Sequence, residues 1–305
     1  MGRRIIRGFL FLTGLSVLMS LASVLFIPKQ EQYNTLAVNK KKCALEKEKE
    51  NSIDLIFAGD SECYSSFSPK QLFSEYGFTS YVVGTSAQRL CDTYAILSAC
   101  FERQSPKVVV LETNCLFRYA GIYADSKSEG DTMQFFSQCF PVLQYHSRWK
   151  IFLGRHAETG EEEYKGFKPS KDVKPYKGGD YMGATDKKKQ LDSETKTYLD
   201  KIYQLCQKEN ARLMFVSVPS AKNWTYAKHN GVMEWAEKNQ VSYLDLNLME
   251  VGIDWKKDTR DGGDHLNING AEKVTRYIGK YFQMQGELTD YREPSSYVSW
   301  KENIT

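Results

Sequence analysis

Ile53-Asp-Leu-Ile-Phe-Ala-Gly-Asp-Ser-Glu62 is the stretch on which the fold turns. Its apolar run, Ile53 to Ala58, has the length of a strand and ends at a glycine. It reads as a buried strand that stops at a tight turn, Gly59-Asp60-Ser61. The turn holds the Ser61 hydroxyl at the carboxyl end of the strand, the edge where open α/β sheets bind ligands. A serine is a weak nucleophile until a base takes its proton. A histidine that could do so stands far along the chain, in Asp261-Gly-Gly-Asp-His-Leu-Asn-Ile-Asn-Gly270.

Between these stretches the pattern alternates. Strands are predicted over Ile53–Ala58, Ser80–Val83, Lys107–Glu112, Arg212–Val218 and Val241–Leu246. Helices are predicted over Pro69–Tyr76, Leu90–Glu102, Ser193–Asn210, Val232–Asn239 and Ala271–Gln283. Proline in a first turn and glycine or proline after an apolar run set the boundaries. Strands alternating with helices indicate a parallel sheet covered on both faces. The expected fold is therefore α/β, a flavodoxin-like three-layer sandwich of about five strands spanning residues 51–285. Residues 115–192 break the rhythm and read as an inserted lid or loop, aromatic at first and then rich in Lys, Gly and Glu. Residues 286–305 read as a polar tail.

Formal charge is +3, from 41 basic and 38 acidic residues. Arg3, Arg4 and Arg7 account for it, since subtracting those three from 41 leaves 38 against 38. A chain so balanced offers no electrostatic case for nucleic acid as a partner. Gly8 to Ile27 is 20 uncharged residues, the thickness of a bilayer core, with the arginines on its N-terminal flank. An N-terminal transmembrane helix over residues 1–28 is expected, with the N-terminus cytoplasmic and the rest outside. A cleaved signal peptide is the competing reading, and Leu21-Ala-Ser-Val24 is a poor cleavage site. Residues 29–50, charged through Lys40-Lys-Lys42 and Glu46 to Glu50, read as a solvated juxtamembrane spacer. The seven cysteines show no metal-ligand spacing. Pairing, of Cys115 with Cys139 for example, is left open, and buried thiols are the preferred reading.

Acyl transfer by serine needs an imidazole, a group that orients it, and donors aimed at the developing oxyanion. Of the four histidines, His146, His156, His229 and His265, only His265 lies in a Gly/Asp-rich loop before a helix start. That loop follows the last strand, at the same sheet edge as Ser61. Asp261 and Asp264 can each orient the ring. Adjacent side chains diverge, and two glycines let Asp261 fold back, so Asp261 is preferred.

These residues resemble the four blocks of the SGNH (GDSL-like) hydrolases. The blocks are Gly59-Asp-Ser61, Gly84 after the second strand, Asn114 after the third, and Asp261…His265-Leu-Asn. Two blocks differ from the family pattern: the third, usually Gly-x-Asn-Asp, is Glu112-Thr-Asn114-Cys115 here, and Gly262 stands where Asp precedes His by three. The resemblance implies Ser61 as nucleophile and His265 as base. It also implies an oxyanion hole from the N–H groups of Ser61 and Gly84 with the Asn114 side chain. With the N-terminal anchor, the chain resembles the subset that works beside membrane-bound O-acyltransferases on bacterial cell-surface polymers, as in teichoic-acid D-alanylation and alginate acetylation. The implied partners are the bilayer, a cell-surface polymer and such an acyltransferase, with no cofactor and no metal.

Gln88, His146, Arg148 and Trp149 are candidates for substrate contact, because Trp stacks on sugars and Arg binds anions. Ser61 also suits a helix N-cap, and Asn267 and Asn269 suit caps before Gly270. Asn223-Trp-Thr225 and Asn303-Ile-Thr305 match the glycosylation pattern by chance frequency and carry no weight. Two other functions compete with catalysis through Ser61. One is a catalytically inactive relative that binds glycan or a membrane acyltransferase, suggested by the altered third block. The other is a divalent-ion site from Asp258, Asp261, Asp264 and His265.

Overall fold

The computed structural model describes residues 2–26, 41, 44–118, 140, 163–293, 297 and 300. Five strands, β1 (Leu55–Ala58), β2 (Ser80–Val82), β3 (Val108–Glu112), β4 (Arg212–Ser217) and β5 (Ser242–Asp245), form one parallel sheet in the order β2-β1-β3-β4-β5. Leu55 pairs with Ser80 on one side and Val108 on the other, and Val108 in turn with Arg212. This is the flavodoxin-like order, whose switch point lies between β1 and β3.

Alternate residues of each strand face opposite layers. Leu55, Phe57, Val108 and Val110 pack beneath α2 (Ser61–Ser66), α3 (Pro69–Tyr76) and α7 (Ile268–Gln285). Ile56, Ala58, Val109 and Leu111 face α4 (Leu90–Phe101), α5 (Ser193–Lys208) and α6 (Tyr226–Asn239). Strands this apolar on both faces stay in register because a slip of one residue would exchange the layers. Burying each such side chain contributes roughly 1.5–3 kcal/mol. α1 (Gly2–Phe26) is, among the described residues, the one helix long and apolar enough to cross a membrane, over Arg4–Val24.

Several expectations are corrected. The turn at Ser61 opens directly into α2, and its N-cap is Asp60, whose side chain accepts from the Glu62 N–H at 3.1 Å. Ser61 is thus the first helical residue rather than the cap. α6 begins at Tyr226, six residues before the expected Val232, because Thr225 caps it through the Lys228 N–H. Lys41, Ala44 and Leu45 are buried and Lys165 Nζ sits 2.8 Å from Glu48, so the end of the charged spacer packs onto the domain instead of being solvated. The tail packs too: Trp300 is buried with its ring 5.8 Å from Phe73, and the Tyr291 N–H donates to the Gly77 carbonyl. The five described cysteines, Cys63, Cys91, Cys100, Cys115 and Cys206, are buried free thiols, and Cys139 lies outside the described residues.

The described end of the insertion, residues 163–192, is a backbone-bonded strap. Lys168 N–H donates to Tyr64 O, Ile268 N–H to Ser170 O, Lys174 N–H to Thr259 O and Tyr176 N–H to Trp255 O, all within 2.8–3.0 Å. At its far end the Lys189 N–H meets Ala227 O. A segment held by its main chain needs few aliphatic side chains, which explains a composition that resembles a loose loop.

Candidate active site

Two loops meet at the carboxyl edge of the sheet. The first carries Ser61 out of β1 and is packed tightly from behind. A Cβ added to Gly84 would stand 2.9 Å from the Asp60 carbonyl oxygen, so the loop after β2 approaches as only glycine allows. The second loop runs from an isolated antiparallel bridge, Thr259 to Leu266, through Gly262 and Gly263 at φ +84° and +95°. These two left-handed residues reverse the chain and bring Asp261 back over His265. One Asp261 oxygen accepts from the His265 backbone N–H at 2.7 Å, and the other lies 2.5 Å from ring Nδ1. Asp264 reaches Nδ1 only to 3.7 Å. Burial works against ionising Asp261, yet both hydrogen bonds and the ring's charge hold its carboxyl below the ordinary range.

Between Ser61 and His265 stands Glu62. The Ser61 hydroxyl donates to Glu62 Oε2 at 3.0 Å, and that oxygen is 3.5 Å from His265 Nε2. Nε2 is buried and, among the described residues, has no hydrogen-bond partner. Glu62 Oε1 accepts from the amides of Asn114 and Asn223, each at 2.9 Å. The Asn223 amide also donates to Asp264 Oδ1, and Lys228 Nζ lies 3.2 Å from Asn114 Oδ1. The site is closed: Ser61 is 7 % exposed and Glu62 1 %.

Glu62 also belongs to a cluster of three carboxylates with Asp60 and Glu112. Arg118 Nε meets Asp60 Oδ2 at 2.5 Å. Burial, and then the Asp60 charge, push Glu62 up to about 8. The same two causes, with Glu62 added, raise Glu112 well above the carboxylate range. Burial and the clustering of like charges thus both favour the protonated form of these two carboxyls. Lys228 is shifted down by burial, against the pull of Glu112 and Glu62.

Of the residues expected from sequence, Ser61, Gly84, Asn114, Asp261, Asp264 and His265 come together here. Gln88 does not line a groove: it is buried, and its amide donates to Thr93 Oγ1 at 2.9 Å inside the first turn of α4. His146, Arg148 and Trp149 lie outside the described residues. Sequence reasoning missed Glu62, Asn223 and Lys228. Glu62 adjoins Ser61, but only the helix that starts there turns its carboxyl back onto the hydroxyl. Asn223 stands in the loop after β4, and the strand-end logic that chose Asn114 would have reached it. A cleft of ≈ 270 Å³ between α3, α7 and the strap, lined by Lys70, Tyr164, Phe167 and Ile268, includes none of these reacting groups.

A divalent ion would need a different donor set from the one expected. Asp258 is buried against Lys273, 2.6 Å from its Nζ, and Asp261 faces Nδ1, so the expected four do not converge. Glu62, Asp264 and His265 do each offer a ligand atom within 4.8 Å of one another. The Asn223 amide already bridges the two carboxylates of that set.

The sequence matches no protein-family model and no curated protein. In fold the chain is similar to a GDSL-like lipase from Bacteroides thetaiotaomicron (10% identity, TM-score 0.41), covering 82% of this chain and 100% of that one. It is similar also to a psychrotrophic esterase from Pseudoalteromonas sp. (12%, TM-score 0.40, 76% and 97%). A Clostridium thermocellum family 3 carbohydrate esterase is a third (12%, TM-score 0.39, 77% and 97%).

Proposed function

We propose that this chain is a serine esterase or O-acyltransferase of the SGNH type. The observation that carries the reading is His265, braced on Nδ1 by Asp261 and turning an unpartnered Nε2 toward the Ser61–Glu62 pair. Ser61 attacks the acyl carbon, His265 takes up the proton, and Asp261 fixes the tautomer and balances the imidazolium. The leaving group departs with that proton and an acyl-enzyme remains on Ser61. Water or a sugar hydroxyl then accepts the acyl group by the reverse path. The N–H groups of Ser61 and Gly84 and the Asn114 amide are the oxyanion donors in this reading. The Asn114 amide gives one hydrogen to Glu62 and has a second for the oxyanion.

The finer reading places the domain outside the cell. α1 serves as a single-pass anchor with its arginines inside. The acceptor is a cell-envelope polysaccharide or other polymer, and a membrane-bound O-acyltransferase supplies the acyl group. The deciding experiment is Ser61→Ala: turnover of an activated acetyl ester is lost with folding unchanged by circular dichroism. Retained turnover would remove Ser61 from its role.

One observation favours a second reading, a glycan- or acyltransferase-binding protein without turnover: the Ser61 hydroxyl is bonded to Glu62 and not to His265. Labelling of Ser61 by a fluorophosphonate probe rejects this alternative, and absence of labelling with intact polymer binding supports it.

A further inference from the structure

A serine flanked by its own neighbour's carboxyl is an unusual start for acyl transfer, because the base must be reached across that carboxyl. Here the carboxyl is built into place rather than drifting. Asn114 and Asn223 both hold Glu62 Oε1, which leaves Oε2 facing the Ser61 hydroxyl on one side and His265 Nε2 on the other. The buried Nε2 has no other partner among the described residues. Resting on the serine-hydrolase reading above, we propose that Glu62 is a catalytic residue that carries the proton between Ser61 and His265. The chain of groups is then Ser61, Glu62, His265 and Asp261, one carboxyl longer than a triad.

The step balances without any co-reactant. In the reactive form, with Glu62 ionised as pH rises through about 8, Ser61 Oγ bonds the acyl carbon while its proton moves to Glu62 Oε2. Glu62 hands that proton to His265 Nε2, which becomes an imidazolium paired with Asp261. The imidazolium returns it through Glu62 to the departing oxygen, whose bond to the acyl carbon breaks. Glu62 ends ionised and His265 neutral, as they began. A base works best when its proton affinity is matched to the working pH. Burial and Asp60 give Glu62 such an affinity, at about 8. The charged groups that face it are Asp60 beneath, Glu112 at the end of β3, Asp264 and His265 from the facing loop, Lys228 from α6 and Arg118 after β3.

The test uses the full chain and an activated acetyl ester. Glu62→Gln keeps the shape and the Oε1 acceptor but cannot pass a proton, and kcat/KM is expected to fall roughly 10²–10⁴-fold. In the unaltered protein, the rate of Ser61 labelling by a fluorophosphonate probe is expected to rise with pH through an apparent midpoint near 8, which belongs to the interacting groups together. That second measurement decides the matter if Glu62→Gln fails to fold. A Glu62→Gln enzyme as active as the parent, or a labelling midpoint near the ~6.5 of an ordinary imidazole, overturns the proposal. Such results leave the serine-hydrolase reading standing so long as Ser61→Ala is inactive. Full activity of Ser61→Ala would remove both.

Discussion

His229 and His265 each hold an aspartate oxygen on Nδ1, at 2.8 and 2.5 Å, but their carboxylates are placed differently. Asp245 ends β5, is 3 % exposed, and accepts from Trp224 Nε1, Tyr243 Oη and both nitrogens of Asn247 as well as from His229. Every lone pair is committed, and the ring of His229 packs against those of Tyr226 and Tyr243. Asp261 is a third exposed and serves His265 with both oxygens, through the backbone and the ring. Its histidine holds the other nitrogen 3.5 Å from a Glu62 oxygen to which the Ser61 hydroxyl donates. In the proposed mechanism the Asp261–His265 pair serves chemistry and the Asp245–His229 pair scaffolding, and the difference lies in how fully each carboxylate is committed.

Exchanging the two aspartates for neutral partners should separate these roles. Loss of the orienting charge in a serine triad costs about 10⁴ in kcat, and Asp261→Asn is expected to lower ester turnover by about 10³–10⁴-fold. Its unfolding midpoint should stay close to the parent's, since the group is a third exposed to water. Steady-state kinetics beside thermal denaturation checks both, and undiminished turnover would make the two pairs equivalent.

The surroundings of His265 should also give stability a pH dependence. Glu62 has its folded pKa raised, so its share of stability is complete below the unfolded value near 4.3 and is lost as pH rises through about 8. At about 1.4 kcal/mol per unit, the loss between pH 5 and 8 is on the order of 4 kcal/mol. Asp261 runs the other way: its folded pKa is depressed, and its share is lost only in acid as pH falls below the unfolded value near 3.9. The melting temperature should therefore decline from pH 5 to 8, and Glu62→Gln should flatten that decline. Parallel slopes for the two proteins would show that Glu62 is not the titrating group.

Asp245→Ala removes acceptors from several buried donors at once, each worth roughly 1–3 kcal/mol when orphaned. About 3 kcal/mol of stability should go, measured by urea unfolding, with ester turnover per folded molecule unchanged. A fall in turnover at full folding would tie His229 to the reaction after all.

The sheet was legible because its strands are short β-branched or apolar runs closed by Gly59, Pro219 or a polar turn, and all five lie within two residues of expectation. That the loops of Ser61 and His265 meet followed from topology, since both leave the same edge, but Glu62 stands between the two side chains. What stayed hidden depends on side-chain direction. Glu62 is visible beside Ser61, but whether it points to solvent or back onto the hydroxyl is settled by α2, which is capped by Asp60 and not by Ser61. The strap was misread for a related reason: its order comes from main-chain hydrogen bonds that leave no hydrophobic period in the sequence.

Asn267 is where the strap and the His265 loop are fastened, and it allows the smallest effect to be dissected. Its side-chain oxygen accepts from the N–H groups of Asn269 and Gly270, capping α7, while its amide donates to Asp172 O at 3.1 Å and Lys257 O at 2.7 Å. Asn267→Ala should lose both functions, about 1–2 kcal/mol. Asn267→Asp keeps the cap and sets a carboxylate against two carbonyls, so the helix is retained while the fastening is lost. Hydrogen exchange at Lys174 and Tyr176, whose N–H groups bond Thr259 and Trp255, reads the strap separately from the helix. Faster exchange there in both variants, with α7 loosened only in Asn267→Ala, would show that the strap braces the loop holding Asp261 and His265. Unchanged exchange in Asn267→Asp would show that the main-chain bonds hold the strap without this side chain.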